Sequence, residues 1–148
     1  MNRFFLLSVF FVFLLFFPSC SEKFDYQKTY QFDQGYWTYA DSLSFDFEIP
    51  DTNNIYSLFL EVQHGTDYSY ENLYTNIKTI FPSGRTIENP LSLELADKTG
   101  KWYGNCSGKN CKYILPIQEK AYFNETGNFQ LKIEQYMRED SIEGINGV

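Results

Sequence analysis

The sequence predicts an all-β protein: an antiparallel β-sandwich, immunoglobulin-like or jelly-roll-like, of about seven strands, following an N-terminal leader. Apolar residues recur with period two, clusters of Gly, Pro, Asn and Asp separate the runs, and no later stretch shows helical periodicity. In chain order, Phe24, Tyr26, Tyr30 and Phe32 alternate with Asp25, Gln27, Thr29 and Gln31, which predicts a first strand. Leu43, Phe45, Phe47 and Ile49 oppose Ser44, Asp46 and Glu48, and Pro50 with Asp51-Thr52-Asn53-Asn54 makes the next turn. Tyr56, Leu58, Leu60 and Val62 form a third stripe, closed by His64-Gly65. Leu73, Thr75, Ile77 and Thr79 form a fourth, closed by Pro82-Ser83-Gly84, and Leu91, Leu93 and Leu95 a fifth. Tyr113, Leu115 and Ile117 are a weaker sixth set, and Phe129, Leu131 and Ile133 complete the series. Apolar side chains on one face only suit antiparallel sheets, which can leave the other face to water. With no linker, repeat or low-complexity stretch, residues 24–148 read as one domain.

The first residues carry a different message. Arg3 precedes an apolar run from Phe4 to Phe17, about 14 residues against the roughly 20 a spanning helix needs. A charged start, a short apolar core and a small residue before a cleavage point define a secretory signal. Pro18 cannot continue a helix. Ser19-Cys20 then resembles the lipobox of bacterial lipoproteins, although Phe17 and Pro18 stand where that pattern has leucine and a small or β-branched residue. Residues 1–19 are thus expected to be a lipoprotein signal peptide, with Cys20 the lipidated residue and residues 20–23 a short tether. The alternative is an ordinary signal peptide with a chance cysteine. Two or three acyl chains hold a protein on a membrane where one does so only marginally.

Charge and cysteines narrow the function. The full chain carries -7, and loss of Arg3 takes the mature part to about -8. An acidic domain without a basic run is a poor match for nucleic acid or bare anionic lipid. Of the three cysteines, Cys20 is accounted for by lipidation, which leaves Cys106 and Cys111 as a local pair around a Gly-Lys-Asn turn. In an oxidising envelope they are expected to form a disulfide. Half of a zinc site is the rival reading, but further ligands are scarce, since His64 is the sole histidine. No cofactor or metal is expected, and a small-molecule ligand is not favoured.

No catalytic residue is nominated. His64 lies at a strand end without the nucleophile elbow that would give it a partner. The Asp and Glu residues are scattered. The aromatic clusters Tyr36-Trp37-Thr38-Tyr39 and Tyr68-Ser69-Tyr70 are candidates for contact with a protein partner or a glycan, through Tyr36, Trp37, Tyr39, Tyr68 and Tyr70. The competing reading is that these side chains cap the core.

Four stretches resemble the gliding-motility lipoproteins called GldH of Bacteroidota: Tyr68-Ser-Tyr-Glu-Asn-Leu-Tyr74, Phe81-Pro-Ser-Gly84, Leu95-Ala-Asp-Lys-Thr-Gly-Lys-Trp102, and Gly127 through Gln135-Tyr-Met-Arg138 to Gly144-Ile145. Their order and spacing follow that family across about residues 24–147. The sequence departs where Asn105-Cys-Ser-Gly-Lys-Asn-Cys111 replaces a glycine-rich stretch. The family also continues past Val148 with one more strand, so either the sequence is truncated there or a sheet edge is left bare. The resemblance implies a non-enzymatic accessory lipoprotein of the gliding and type IX secretion apparatus. It would be anchored by lipid in the cell envelope, most naturally at the periplasmic face of the outer membrane, with protein partners in that machinery. A carbohydrate-binding outer-membrane lipoprotein is the alternative.

Overall fold

A computed structural model describes residues 24–148; the leader, the tether and Cys20 lie outside the described residues. The fold is all-β and antiparallel. The strands are β1 (Tyr36–Thr38), β2 (Leu43–Ile49), β3 (Ile55–Gly65), β4 (Asn72–Ile80), β5 (Thr86–Glu94), β6 (Asn105–Ser107), β7 (Asn110–Tyr122), β8 (Gly127–Gln135), β9 (Ser141–Glu143) and β10 (Ile145–Gly147). Two four-stranded sheets, ordered β10-β3-β7-β6 and β2-β8-β4-β5, enclose one core, and a small β1-β9 ribbon closes one end.

The period-two stripes place the core. Leu60, Val62 and Leu115 from one sheet meet Leu43, Phe45, Leu73, Leu93, Leu131 and Ile133 from the other. Register follows the same alternation: Phe45 opposes Leu131, and Ile77 opposes Ile133. A one-residue slip would turn each stripe to water, so burial on one face fixes the pairing. β5 is an edge strand with Pro90 opposite Asn76 and an exposed, charged outer half. Proline and charge at an edge discourage pairing with a second chain.

Six of the expected stripes are strands; the first is not. Residues 24–32 are extended but join the sheets by a single bridge, Gln31 to Gly147. They dock through side chains and, at Tyr30 and Phe32, through backbone hydrogen bonds to Val148 and Asn146. The Tyr30 hydroxyl donates to the Ser44 carbonyl at 2.6 Å, and the Tyr26 ring lies 5.9 Å from that of Phe47. Alternation here marks a strap across the flank of the sandwich rather than a rung of a ladder. Four strands were not expected: β1, β6, β9 and β10, each three residues long. At the end of the described chain β10 pairs with Gln63 and His64 of β3, and Tyr30 and Val148 exchange backbone hydrogen bonds at 2.7 and 3.0 Å.

Candidate functional site

Three of the four stretches singled out in the sequence converge on one end of the sandwich. The Glu71 carbonyl accepts hydrogen bonds from Leu95 N and Ala96 N at 2.8 and 3.0 Å, which joins the 68–74 stretch to the 95–102 stretch. Tyr136 N donates to the Tyr74 carbonyl at 2.8 Å, bringing in the 135–138 stretch. Gly144, at φ +83°, passes so close to Tyr68 that an added Cβ would lie 3.2 Å from the Tyr68 Cα. Only glycine meets both demands without strain. Phe81-Pro-Ser-Gly84 lies apart from this cluster, where the Ser83 amide donates to the Glu125 carboxylate at 3.1 Å.

The inside of this end is packed with rings. His64, on the inward face of β3, is fully buried, with Trp102 4.5 Å and Tyr68 5.9 Å away between ring centres. Its Nδ1 lies 2.8 Å from the Gly65 carbonyl, so the neutral ring donates there. Nε2 then carries no proton and has no protein partner. Burial lowers the His64 pKa, and the bond to Gly65 only partly opposes this. A neutral, enclosed histidine cannot reach a substrate, so this side chain is a core residue. Trp37 is also fully buried, with its Nε1–H donating to the Asp41 carbonyl at 2.7 Å and its ring stacked on Phe32. Tyr68 is buried beside it in the core and donates to the Asn72 carbonyl at 3.0 Å. Burial pushes its phenol well above the ordinary tyrosine pKa, with Tyr70 and Glu139 adding to the effect.

This corrects the expectation of exposed aromatic turns for Trp37 and Tyr68. Both present no free ring face to a glycan or partner. Tyr36 and Tyr70 are half-buried. Tyr70 gives its hydroxyl to the Glu139 carboxylate at 2.5 Å, a bond that raises its pKa. Tyr39 is the one of the five that stands 45% exposed.

Tyr39 has neighbours that sequence reading did not nominate. Its hydroxyl donates to the Met137 carbonyl. The Met137 sulfur lies 3.2 Å from the Tyr74 amide, and Tyr136 immediately precedes Met137. Tyr39, Tyr74 and Tyr136 are 45, 46 and 61% exposed, and the hydrogen bonds of Tyr39 and Tyr74 bring all three to the Tyr136-Met137 segment. Tyrosine and methionine are enriched at protein interfaces, tyrosine because it buries large area with few rotors to freeze and methionine because its flexible thioether adapts to the partner. The available signal was that Tyr74 and Tyr136-Met137 sit within two of the stretches carrying the resemblance.

Cys106 and Cys111 are disulfide-bonded directly across the β6–β7 hairpin. Gly108 at φ +61° starts its two-residue turn, as such hairpins require. Cys111 in turn opposes His64 on β3, so the disulfide pins the hairpin beside the ring-filled end. No group of His, Cys, Asp and Glu among the described residues could hold a metal ion.

Fold and site define the class: a small antiparallel β-sandwich whose ring-packed end displays tyrosines to solvent. Residues 25–148 match the family model described as GldH lipoprotein, and the chain belongs to that family. It is 28% identical over 140 residues to a "Gliding motility lipoprotein GldH homolog" of Christiangramia forsetii, covering 91% of this chain and 85% of the relative. It is 27% identical over 119 residues to a "Gliding motility lipoprotein GldH" of Flavobacterium johnsoniae, covering 76% of this chain and 74% of that one. No solved structure matches the chain.

Proposed function

We propose that this protein is a non-enzymatic, lipid-anchored envelope component of the gliding machinery and of its associated type IX secretion system, acting through protein contacts at the tyrosine-rich end. The gliding role rests on family membership and the names of the two relatives. The contact role rests on one observation: three of the stretches that carry the resemblance are distant in the chain, yet they are hydrogen-bonded together at the end where Tyr39, Tyr74 and Tyr136 are exposed. The burial of His64 supports the non-enzymatic reading, since the sole histidine is withheld from any substrate.

Cys20 is the anchoring residue in this account, through a diacylglyceryl group and a further acyl chain. Such an anchor suits the outer membrane, with the domain on its periplasmic face. Deletion of the gene should abolish spreading, or secretion of type IX cargo in a host that does not spread. Cys20→Ala should move the protein to the soluble fraction and reproduce the deletion. Spreading and secretion left intact by the deletion would overturn the role. A protease that digests the domain on intact cells would overturn the periplasmic facing. With Trp37 and Tyr68 buried, no observation favours the carbohydrate reading.

A further inference from the structure

The two sheets do not meet everywhere. A cavity of about 680 Å³ lies between them where the strap, residues 24–29, crosses the flank of the sandwich. Phe45, Phe47, Ile117, Phe123 and Leu131 line it. Register shifts between Tyr56 and Phe59 lie beside it, and such bulges bend the strand that carries them. Protein interiors leave few voids larger than a water molecule. This one has the size and apolar lining of a small-molecule site.

The rim argues for the kind of occupant. Among the described residues that line the cavity, the carboxylates Asp25, Glu48 and Glu61 outnumber the single cation Lys28. Glu61 is paired to Lys112 at 3.0 Å, and the Lys28 ammonium donates to the Ser44 carbonyl at 2.6 Å. The charge of the described lining is thus net negative, which disfavours an anionic headgroup. A long apolar chain on an uncharged linkage is the chemistry that fits. The chain supplies one nearby: Cys20 stands four residues before Phe24, the first strap residue on the cavity wall. Four residues reach at most about 14 Å. A ligand tethered that closely has a high effective concentration at the site.

We propose that one acyl chain of the lipid on Cys20 inserts into this cavity beneath the strap, clamping the domain against its own anchor while the remaining chains stay in the bilayer. This rests on the lipidation of Cys20 proposed above. The test uses the full lipidated chain. Cells are fed palmitic acid carrying a diazirine, and the protein is purified in detergent, irradiated, digested and analysed by mass spectrometry. Crosslinks from the Cys20 lipid to peptides containing Phe45, Phe47, Ile117 or Leu131 are expected. A Cys20 that carries the probe but crosslinks only to detergent or lipid would overturn the inference and leave lipidation standing. A Cys20 without lipid in the intact mass would overturn both. Cys20→Ala protein soaked with the same free fatty acid should stay unlabelled at those peptides. Equal labelling there would mean that the cavity takes loose membrane lipid, and the assignment to the protein's own anchor would fall. Ile117→Trp, which fills the space, should lose the cavity crosslinks while keeping the Cys20 modification; crosslinks at the original level would count against the site.

Discussion

The ring-packed end and the strap end of this sandwich use the same residue types to opposite effect. At the first, Trp37, His64, Tyr68 and Trp102 fill the interior, and Trp37 Nε1, His64 Nδ1 and the Tyr68 hydroxyl are each hydrogen-bonded. At the second, Phe45, Phe47 and Phe123 line a space that stays open. The difference lies in what closes each end. The β1-β9 ribbon and β10 bring backbone ladders to the first. The strap is tied over the second by side-chain contacts along residues 24–30 and by backbone hydrogen bonds only at its far end, from Tyr30 and Phe32 to Val148 and Asn146. Backbone pairing seals; a strap held by side chains can lift.

Stability should report this contrast directly. Trp37→Ala removes a fully buried indole and should cost about 3–5 kcal/mol, whereas Ile117→Ala at the cavity wall should cost under about 1 kcal/mol because the space around it is already open. Denaturant melts of both variants give the comparison, and equal losses would break it.

The next effect belongs to the hairpin beside the packed end. Replacing Cys106 and Cys111 by serine should lower stability by about 2 kcal/mol on the chain-entropy account of so short a loop. The same melts, with and without reductant, read it. A wild-type protein insensitive to reductant would contradict it.

Histidine should make the packed end sensitive to pH. Burial holds the folded pKa of His64 below its ordinary value of about 6.5, so the folded state resists protonation that the unfolded state accepts. The stability from neutral His64 is therefore full above about pH 6.5 and is lost as pH falls from there through the lower folded value. His64→Phe should flatten the profile across that window. A wild-type midpoint that is constant from about pH 8 to 5.5 would show that the ring is not enclosed as described.

Much of the scaffold could be read from periodicity, and the reasons for the misses are specific. β2, β3, β4, β7 and β8 are long, with one face dry, so their apolar residues alternate visibly. Three-residue strands such as β9 and β10 hold too few positions for any period. The strap shows the reverse error: Phe24, Tyr26 and Tyr30 alternate well but bind through rings and a hydroxyl, which pattern alone cannot tell from a ladder. Adjacent aromatics at 36–39 gave no sign that Trp37 turns inward while Tyr39 turns out, because that depends on the carbonyls of Asp41 and Met137. The tyrosine surface was hidden for a related reason. Its members come from β4 and from the turns after β1 and β8, which only the sheet order brings together.

That surface is the smallest expected effect on stability and the largest on function. Tyr39, Tyr74 and Tyr136 are solvent-facing, so their replacement should shift stability by no more than about 0.5 kcal/mol each. The most direct measurement is complementation of the deletion strain with the Tyr39→Ser, Tyr74→Ser, Tyr136→Ser triple variant, scoring spreading and type IX cargo secretion at matched protein level and membrane fraction. A protein that is present, anchored and folded yet fails to restore either activity is the predicted result. Full restoration would contradict the claim that this end of the sandwich is where the protein works.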